Sequence, residues 1–322
     1  MRETSDADYH FFDHKPAAVD VREEVLSSLS EEPKRLSPKY FYDEIGSKLF
    51  DQITELPEYY PTRTEIALLK QHREEIGTIV GPDSCLIEYG GGSSLKVRLL
   101  LETLRPSSYV PVDISRDHLE QSARKLFHDY DWLSVYPTSA DYSEPFELPS
   151  VAAQAPRIAF FPGSSIGNFE PTEAENFLRT VAQVIGPKSY LLIGVDRKKD
   201  RATLEAAYND SQGVTAAFNL NILTHLNERL DATFDVGRFE HEAIYDEEAG
   251  CIRMYLRSTG EQVVTVAGTP FRFEAGERIH TENSYKYAPQ EFIALAHRGG
   301  FEVERAWTDE NERFSLFLLV AN

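Results

Sequence analysis

Apolar positions along the chain follow two rhythms, one helical and one extended. From Asp20 the residues Val21, Val25, Leu26 and Leu29 recur at helical spacing, and the pattern breaks near Pro33 and Pro38 before the aromatic stretch Tyr40, Phe41, Tyr42. A further helix is predicted over Gly46 to Ile53. In LPEYYPTRTE, residues 56 to 65, two prolines bracket adjacent tyrosines, and Thr62 with Glu65 reads as a capping-box pair opening a long helix to about Ile76. Residues 1 to about 18 show no clear period and are expected to be an arm, mobile or tied down by partners.

From Ser84 the rhythm changes. CLIEYG, YVPVDIS, WLSVYPTSAD, RIAFFPGSS and SYLLIGVD are short apolar runs, separated by helical patterns to about Leu104, over Asp117 to Phe127 and over Thr172 to Val184. Strands alternating with helices predict βαβ units, hence an α/β fold with a doubly wound parallel sheet and helices on both faces. Near the end, a helix over Pro289 to Arg298 stops at Gly299-Gly300, and FEVERAW, TDENERF and SLFLLVA read as strand, turn and strand, an antiparallel hairpin closing the sheet edge. Class I methyltransferases, a Rossmann-like fold, end in this way. In their minimal form the last helix follows the fifth strand almost at once, whereas here a long segment separates Asp196 from Pro289. That insert carries helices over Asp200 to Asn209 and Gly213 to Leu230 and the hairpins HEAIYDEEAGCIRMYLRS and QVVTVAGTPFRFEAGERIHTE. Together with the N-terminal helices it is expected to build a second, α+β lobe.

Composition narrows the functional classes. Acidic residues outnumber basic ones 53 to 33 over 322 residues, a formal charge of −20, which repels phosphate backbones and anionic membranes. No apolar run approaches the roughly 20 residues of a bilayer span. The polar, acidic N-terminus lacks the apolar core of a secretory signal, so the expectation is a cytoplasmic protein without nucleic-acid or membrane partners. Cys85 and Cys251 are then reduced, buried thiols, and the nine histidines show no metal-ligand spacing, so no metal is expected.

The segment LIEYGGGSSLK, Leu86 to Lys96, is a buried strand running into glycines and then a helix, where backbone approaches a ligand without Cβ obstruction. A dinucleotide fingerprint would need glycine at Leu95 and would normally lack an acid such as Glu88 before the glycines, so S-adenosylmethionine fits better than a nicotinamide cofactor. The cofactor candidates are Glu88, Gly90, Gly91, Gly92, Ser94 and Lys96. Asp113, at the end of the next strand, has the spacing of a carboxylate that accepts from both ribose hydroxyls, and Asp141 at the third strand end suits the adenine amino group, with Tyr142 as a stacking or backbone contact.

Several longer blocks carry a resemblance: PKYFYDEIGSKLFDQITELPEYYPTRTE (38 to 65), IEYGGGSSLK (87 to 96), FFPGSSIGNFEP (160 to 171), LLIGVD (191 to 196), AYNDSQGVTAAFNLN (207 to 221) and TENSYKY (281 to 287). On these the chain, from about residue 20 to its end, resembles the histidine-specific Nα-methyltransferases of ergothioneine biosynthesis. The resemblance implies a bilobed enzyme that moves three methyl groups from S-adenosylmethionine to the α-amino group of free histidine, giving hercynine. It implies that 19–61 and 199–286 form the substrate lobe, 62–198 the cofactor domain, and 287–322 the helix and hairpin completing that domain. No oligomer is implied.

By the same resemblance Asn168, after the fourth strand, anchors the substrate, its amide able to donate to carboxylate and accept from amine. Tyr208 would donate to the carboxylate, and Tyr42 and Tyr59 would close the site around amine and side chain, with Tyr42 and Asn168 as the catalytic candidates. Tyr60 reads instead as an aromatic core residue. Glu282 and Ser284 match the positions that bind the imidazole ring, and Met254 the apolar wall against it. A carboxylate there favours histidine over tryptophan, because an indole would satisfy a desolvated acid less well. Asn283 stands where relatives often carry an apolar residue. The readings that remain open are a methyltransferase for another amino acid or an indole precursor, and a cofactor-binding protein without catalysis.

Overall fold

The computed structural model of the protein describes residues 7–14, 20–91, 94–142, 144–153 and 156–322. In chain order come β1 (Phe12–Asp13), α1 (Val21–Ser30), α2 (Glu44–Glu55), α3 (Tyr60–Val80), β2 (Cys85–Tyr89), α4 (Ser94–Leu104), β3 (Ser108–Asp113), α5 (Arg116–Asp129), β4 (Ser134–Val135) and β5 (Thr138–Ser139). β6 (Arg157–Phe161), α6 (Pro171–Ile185), β7 (Tyr190–Asp196), α7 (Arg201–Tyr208) and α8 (Val214–Leu230) follow. The strands β8 (Phe239–Asp246), β9 (Cys251–Ser258), β10 (Gln262–Val266), β11 (Thr269–Phe273) and β12 (Arg278–Tyr285) lead to α9 (Pro289–Arg298), β13 (Phe301–Thr308) and β14 (Phe314–Ala321). The chain forms two compact units, Met1–Ala17, Thr64–Arg197 and Tyr287–Asn322 in the first, Ala18–Arg63 and Lys198–Lys286 in the second.

The first unit is one sheet in the order β1-β5-β3-β2-β6-β7-β14-β13, with β4 beside β3. Pairing is parallel from β1 to β7, and β14 runs antiparallel between β7 and β13. This is the Rossmann-like class I methyltransferase sheet, closed by the hairpin expected from FEVERAW and SLFLLVA. Its central strands are covered on both faces, which is why β2 reads as an unbroken buried run. The order reverses at β2, and ligands of such sheets sit beyond the carboxyl ends of the strands at that reversal.

Two expectations for this unit change. WLSVYPTSAD forms two short strands, β4 and β5, because Pro137 has no N–H for a continuous ladder. The described part of the N-terminal arm is an edge strand: the Phe12 and His14 N–H groups donate to the Pro137 and Ser139 carbonyls at 2.8 and 3.0 Å.

In the second unit β12, β9 and β8 form an antiparallel sheet and β10–β11 a separate hairpin. The hairpin expected to run on through GERIHTE stops at Phe273. β12 pairs instead with β9, from Arg278 opposite Arg257 to Tyr285 opposite Cys251, with a bulge between His280 and Glu282. Leu29, Phe41, Ile53, Leu223, Ile252 and Phe273 belong to one apolar core that joins the N-terminal helices to the inserted segment. α3 starts at Tyr60, with Pro61 in its first turn where a missing N–H costs nothing. Thr62 therefore lies inside the helix, and the expected capping box with Glu65 gives way to a different role for that carboxylate.

No helix among the described residues is long and apolar enough to cross a membrane. Neither cysteine forms a disulfide, and both are buried.

The corner between α7 and α8 is set by Asp210, whose Oδ2 accepts the Gln212 and Val214 N–H groups at 3.1 and 2.9 Å and whose Oδ1 accepts that of Thr215 at 2.7 Å. Burial alone would raise its pKa, but these donors outweigh it and hold the carboxyl below the ordinary range. Asp210→Ala should lower unfolding stability by about 1–2 kcal/mol, as loss of a strong N-cap does, measured by denaturant unfolding at neutral pH. Because the folded-state pKa is depressed, the deficit should shrink as pH falls through the carboxylate range.

Candidate active site

The strand β2 carries Glu88 into the protein interior, where the Tyr109 hydroxyl donates to its Oε2 at 2.5 Å. Burial pushes the Glu88 carboxyl up to about 8, with Tyr109 and then Lys96 pulling it back. Its Oε1 is buried and meets no hydrogen-bond partner among the described residues. Two residues on, Gly90 has φ +78° and open space where a Cβ would stand, while a Cβ on Gly91 would come within 2.8 Å of Pro111. The first glycine supplies the left-handed bend and the second admits the neighbouring strand. Gly92 lies outside the described residues, as does the side chain of Ser94, whose backbone opens α4.

Asp113 and Ser139 are paired residues at the carboxyl ends of β3 and β5, so Asp141 follows on the strand next to Asp113. The Asp113 carboxylate is raised by burial, and its Oδ1 accepts the Ser115 N–H at 2.8 Å. Tyr142 packs edge-on against Tyr89 and Phe177 at 5.9 and 6.1 Å between centroids, so its ring is committed to an aromatic cluster. A glycine bend, a buried orphan carboxylate oxygen and two strand-end aspartates match the needs of a nucleoside joined to a charged thioether.

Lys96 is less exposed than a simple ligand-facing lysine would be. Its ammonium lies 2.5 Å from the fully buried Glu65 carboxylate. Glu65 also accepts the Gly163 N–H, 3.0 Å from Oε1 and 2.9 Å from Oε2. Gly163 and Ser164 both have positive φ, at +80° and +60°, and the Ser164 hydroxyl accepts the Asp196 N–H at 2.8 Å. This loop ends in a single 3-10 turn, Ser165–Asn168, that presents Asn168 at the surface beyond β6. Glu65 thus ties the loop carrying Asn168 to the helix after the glycine bend. Its place is opened by Gly194 on β7, where a Cβ would sit 2.2 Å from Glu65 Oε1.

In the second unit the end of α7 and one face of β12 converge. The Tyr208 hydroxyl is 2.8 Å from the Ser284 hydroxyl, and the ammonium of Lys286 donates to both at 2.8 Å. Glu282 lies opposite Met254 of β9. Burial pushes its carboxyl up to about 7, with the positive charge of Lys286 opposing the rise. No hydrogen bond among the described residues reaches that carboxylate. Met254 is buried in the core of this unit. Extended alternation puts Asn283 on the other face of the strand, its amide oxygen 2.9 Å from His280 Nε2.

Tyr59 is nearly buried, its ring edge-on to Tyr208 at 6.2 Å, whereas Tyr42 is 49% exposed, with its ring edge-on to Phe50 and Phe218. Asp43, next to Tyr42, caps α2 through the Gly46 N–H at 2.6 Å and accepts from Asn221 at 2.9 Å, which fixes that turn. Tyr60 is buried in the core as expected, and its hydroxyl accepts from Lys199 at 2.6 Å. Behind Tyr208, His241 Nε2 lies 2.8 Å from the Tyr208 carbonyl and Nδ1 lies 2.8 Å from the Asn219 amide nitrogen. Asn219 in turn accepts from Thr281 and donates to the Tyr255 carbonyl. These partners define one tautomer, with Nε2–H donating and Nδ1 accepting.

Two residues of this site escaped the sequence reading. Glu65 was legible only as a helix-start signal. Lys286 carries a signal in its spacing alone, continuing by two residues the period set by Glu282 and Ser284.

The model of a family described as histidine-specific, SAM-dependent methyltransferases matches residues 21–321. The chain is 39% identical over 310 residues to a histidine N-alpha-methyltransferase of Mycolicibacterium smegmatis, covering 94% of this chain and 96% of that one. It is 40% identical over 304 residues to the protein of that name from Mycobacterium tuberculosis, covering 92% and 94%. Ergothioneine biosynthesis protein 1 of Neurospora crassa is 33% identical over 333 residues, 99% of this chain but 37% of that longer protein.

Gly194→Ala should displace Glu65, lower stability by about 1–3 kcal/mol as overpacking does, and weaken S-adenosylhomocysteine binding; thermal unfolding and calorimetry measure the two effects. Burial lowers the His241 pKa below its usual value near 6.5. A depressed folded-state pKa for a base means that folding loses stability as pH falls below that value, because the unfolded chain takes up the proton first. Unfolding midpoints between pH 7.5 and 5 should therefore fall less steeply in His241→Gln than in the wild type.

Proposed function

The chain belongs to the family of histidine-specific, S-adenosylmethionine-dependent methyltransferases, and from that premise we propose that it converts L-histidine to Nα,Nα,Nα-trimethylhistidine, a step of ergothioneine biosynthesis. S-adenosylmethionine is the co-substrate. It supplies a methyl group on a sulfonium, which the neutral amine attacks in line while the carbon–sulfur bond breaks. Starting from the ammonium form of histidine, three transfers release three protons and leave a quaternary amine. What remains for the protein is to hold, orient and desolvate the amine.

The residues take these parts as follows. Glu88, Gly90, Gly91, Gly92, Ser94, Lys96, Asp113, Asp141 and Tyr142 hold the co-substrate. Asp113 takes the ribose hydroxyls, and Asp141 with the backbone at Tyr142 takes the adenine edge. Asn168 anchors the amino acid through its carboxylate and amine, and Tyr208 donates to the carboxylate. Tyr42 and Tyr59 close around the amine and side chain, with Tyr42 as a station for the departing proton. Glu282 and Ser284 bind the imidazole against Met254.

The observation that carries the reading is the Glu282 carboxylate, buried beside an apolar wall with no hydrogen bond from the described residues. A desolvated acid of this kind is costly until a donor reaches it, and a ring N–H is the donor that histidine brings. An aliphatic side chain would leave the acid unsatisfied, which supports histidine over other amino acids.

Glu282→Ala should raise the KM for histidine more than tenfold, over about 1.4 kcal/mol of binding, while the KM for S-adenosylmethionine changes much less. Mass spectrometry across a panel of free amino acids should detect trimethylated product from histidine alone. Comparable turnover of tryptophan would defeat the assignment, and cofactor binding without transfer to any amine would mark a protein that no longer catalyses.

A further inference from the structure

We propose that Lys286 is a positioning residue of the amino-acid subsite, orienting the hydroxyls of Tyr208 and Ser284 and setting a positive charge on the strand face that carries Glu282. The inference rests on the reading of that face as the histidine subsite.

Lys286 is 2% exposed, an unusual place for an ammonium unless its donors are engaged. It donates to Tyr208 Oη and Ser284 Oγ at 2.8 Å each, and the two oxygens are themselves 2.8 Å apart. The ammonium also lies 4.8 Å from the centroid of the Tyr208 ring, within cation–π range. An ammonium has donors and no acceptor, so both hydroxyls must turn a lone pair toward it and point their protons elsewhere. One of those protons joins the two hydroxyls. The triangle thus fixes the directions in which Tyr208 and Ser284 offer hydrogen bonds, which a neutral side chain of the same length would leave to rotate.

Backbone geometry explains why this lysine is available. Residues 282, 284 and 286 share one face by extended alternation, and the Lys286 N–H donates to the Gly250 carbonyl at 2.8 Å, continuing the ladder one residue beyond β12. The bulge before Glu282 sets which face that is. A buried carboxylate and a buried ammonium on one face each reduce the cost of the other, and the charge of Lys286 acts on Glu282 in that sense.

The test uses the full chain saturated with S-adenosylhomocysteine, with L-histidine as the probe in calorimetry, for the wild type, Lys286→Met, Ser284→Ala and the double variant. Lys286→Met should weaken histidine binding at least fivefold with S-adenosylhomocysteine affinity held within twofold. In steady state it should raise the KM for histidine by a larger factor than it lowers kcat. Ser284→Ala should cost less in the Lys286→Met background than alone, because the hydroxyl it removes has already lost its orientation. A change below fivefold, or additive effects in the cycle, would overturn the proposal, since a residue that only fills space is not coupled to the Ser284 hydroxyl. If Lys286→Met does not fold, Lys286→Gln replaces it with the same thresholds. A wild-type chain that binds S-adenosylhomocysteine but neither binds nor methylates histidine defeats the reading of the subsite and this inference together. An unaffected variant of an active wild type defeats the role of Lys286 alone.

Discussion

A carboxylate sealed from water organises the ligand end of the first unit. Glu65 would cost several kcal/mol to bury alone, and it is stable there because an ammonium and a backbone N–H are already in place to meet it. Each of those partners belongs to a different part of the sheet. Lys96 stands in the first turn of the helix after the glycine bend, Gly163 opens the loop that ends at Asn168, and Gly194 leaves the room the acid occupies. Two connections at the carboxyl ends of the strands are thereby held by one side chain, so the cofactor residues and Asn168 share a common support.

The second unit handles buried charge in another way. Its polar residues lie on one face of β12 and at the end of α7, against an apolar background that includes Met254. Tyr208 is held from two sides, its hydroxyl by Ser284 and Lys286 and its carbonyl by His241. The imidazole is fixed as one neutral tautomer by Asn219, whose own oxygen is taken by Thr281 next to Glu282. Residues proposed to touch the amino acid are therefore backed by a chain of hydrogen bonds that leaves them few alternative positions. Burial that raises the Glu282 carboxyl to about 7 is the counterpart of that rigidity. Few local groups satisfy the acid, and the reading of function assigns the missing donor to the substrate.

Legibility in the sequence was uneven for physical reasons. Helices and buried strands announce themselves through periods of 3.6 and two, so the alternating elements and the closing hairpin were plain from residue 84 onward. Pro137 was visible in its strand, yet only the pairing of β1 on its far side shows how an edge without an N–H is still covered. The segment RIHTE has the same extended rhythm whichever strand it joins, and nothing local distinguishes pairing with β11 from pairing with β9. The capping signal at Thr62 and Glu65 failed because the helix began earlier, at Tyr60, and the acid found a stronger partner in Lys96.

Local pattern, glycine placement and the long specific blocks were enough to determine the class of fold, the strand that ends in a glycine bend, the aspartates that follow it and the family resemblance. These are features written within a few residues of one another. The partners of Glu65, the triangle at Lys286 and the face to which Glu282 points were decided only in the tertiary structure. A buried charge is matched by groups distant in the chain, and which groups arrive depends on strand register, a bulge and the absence of a single Cβ. No period within the sequence encodes those meetings.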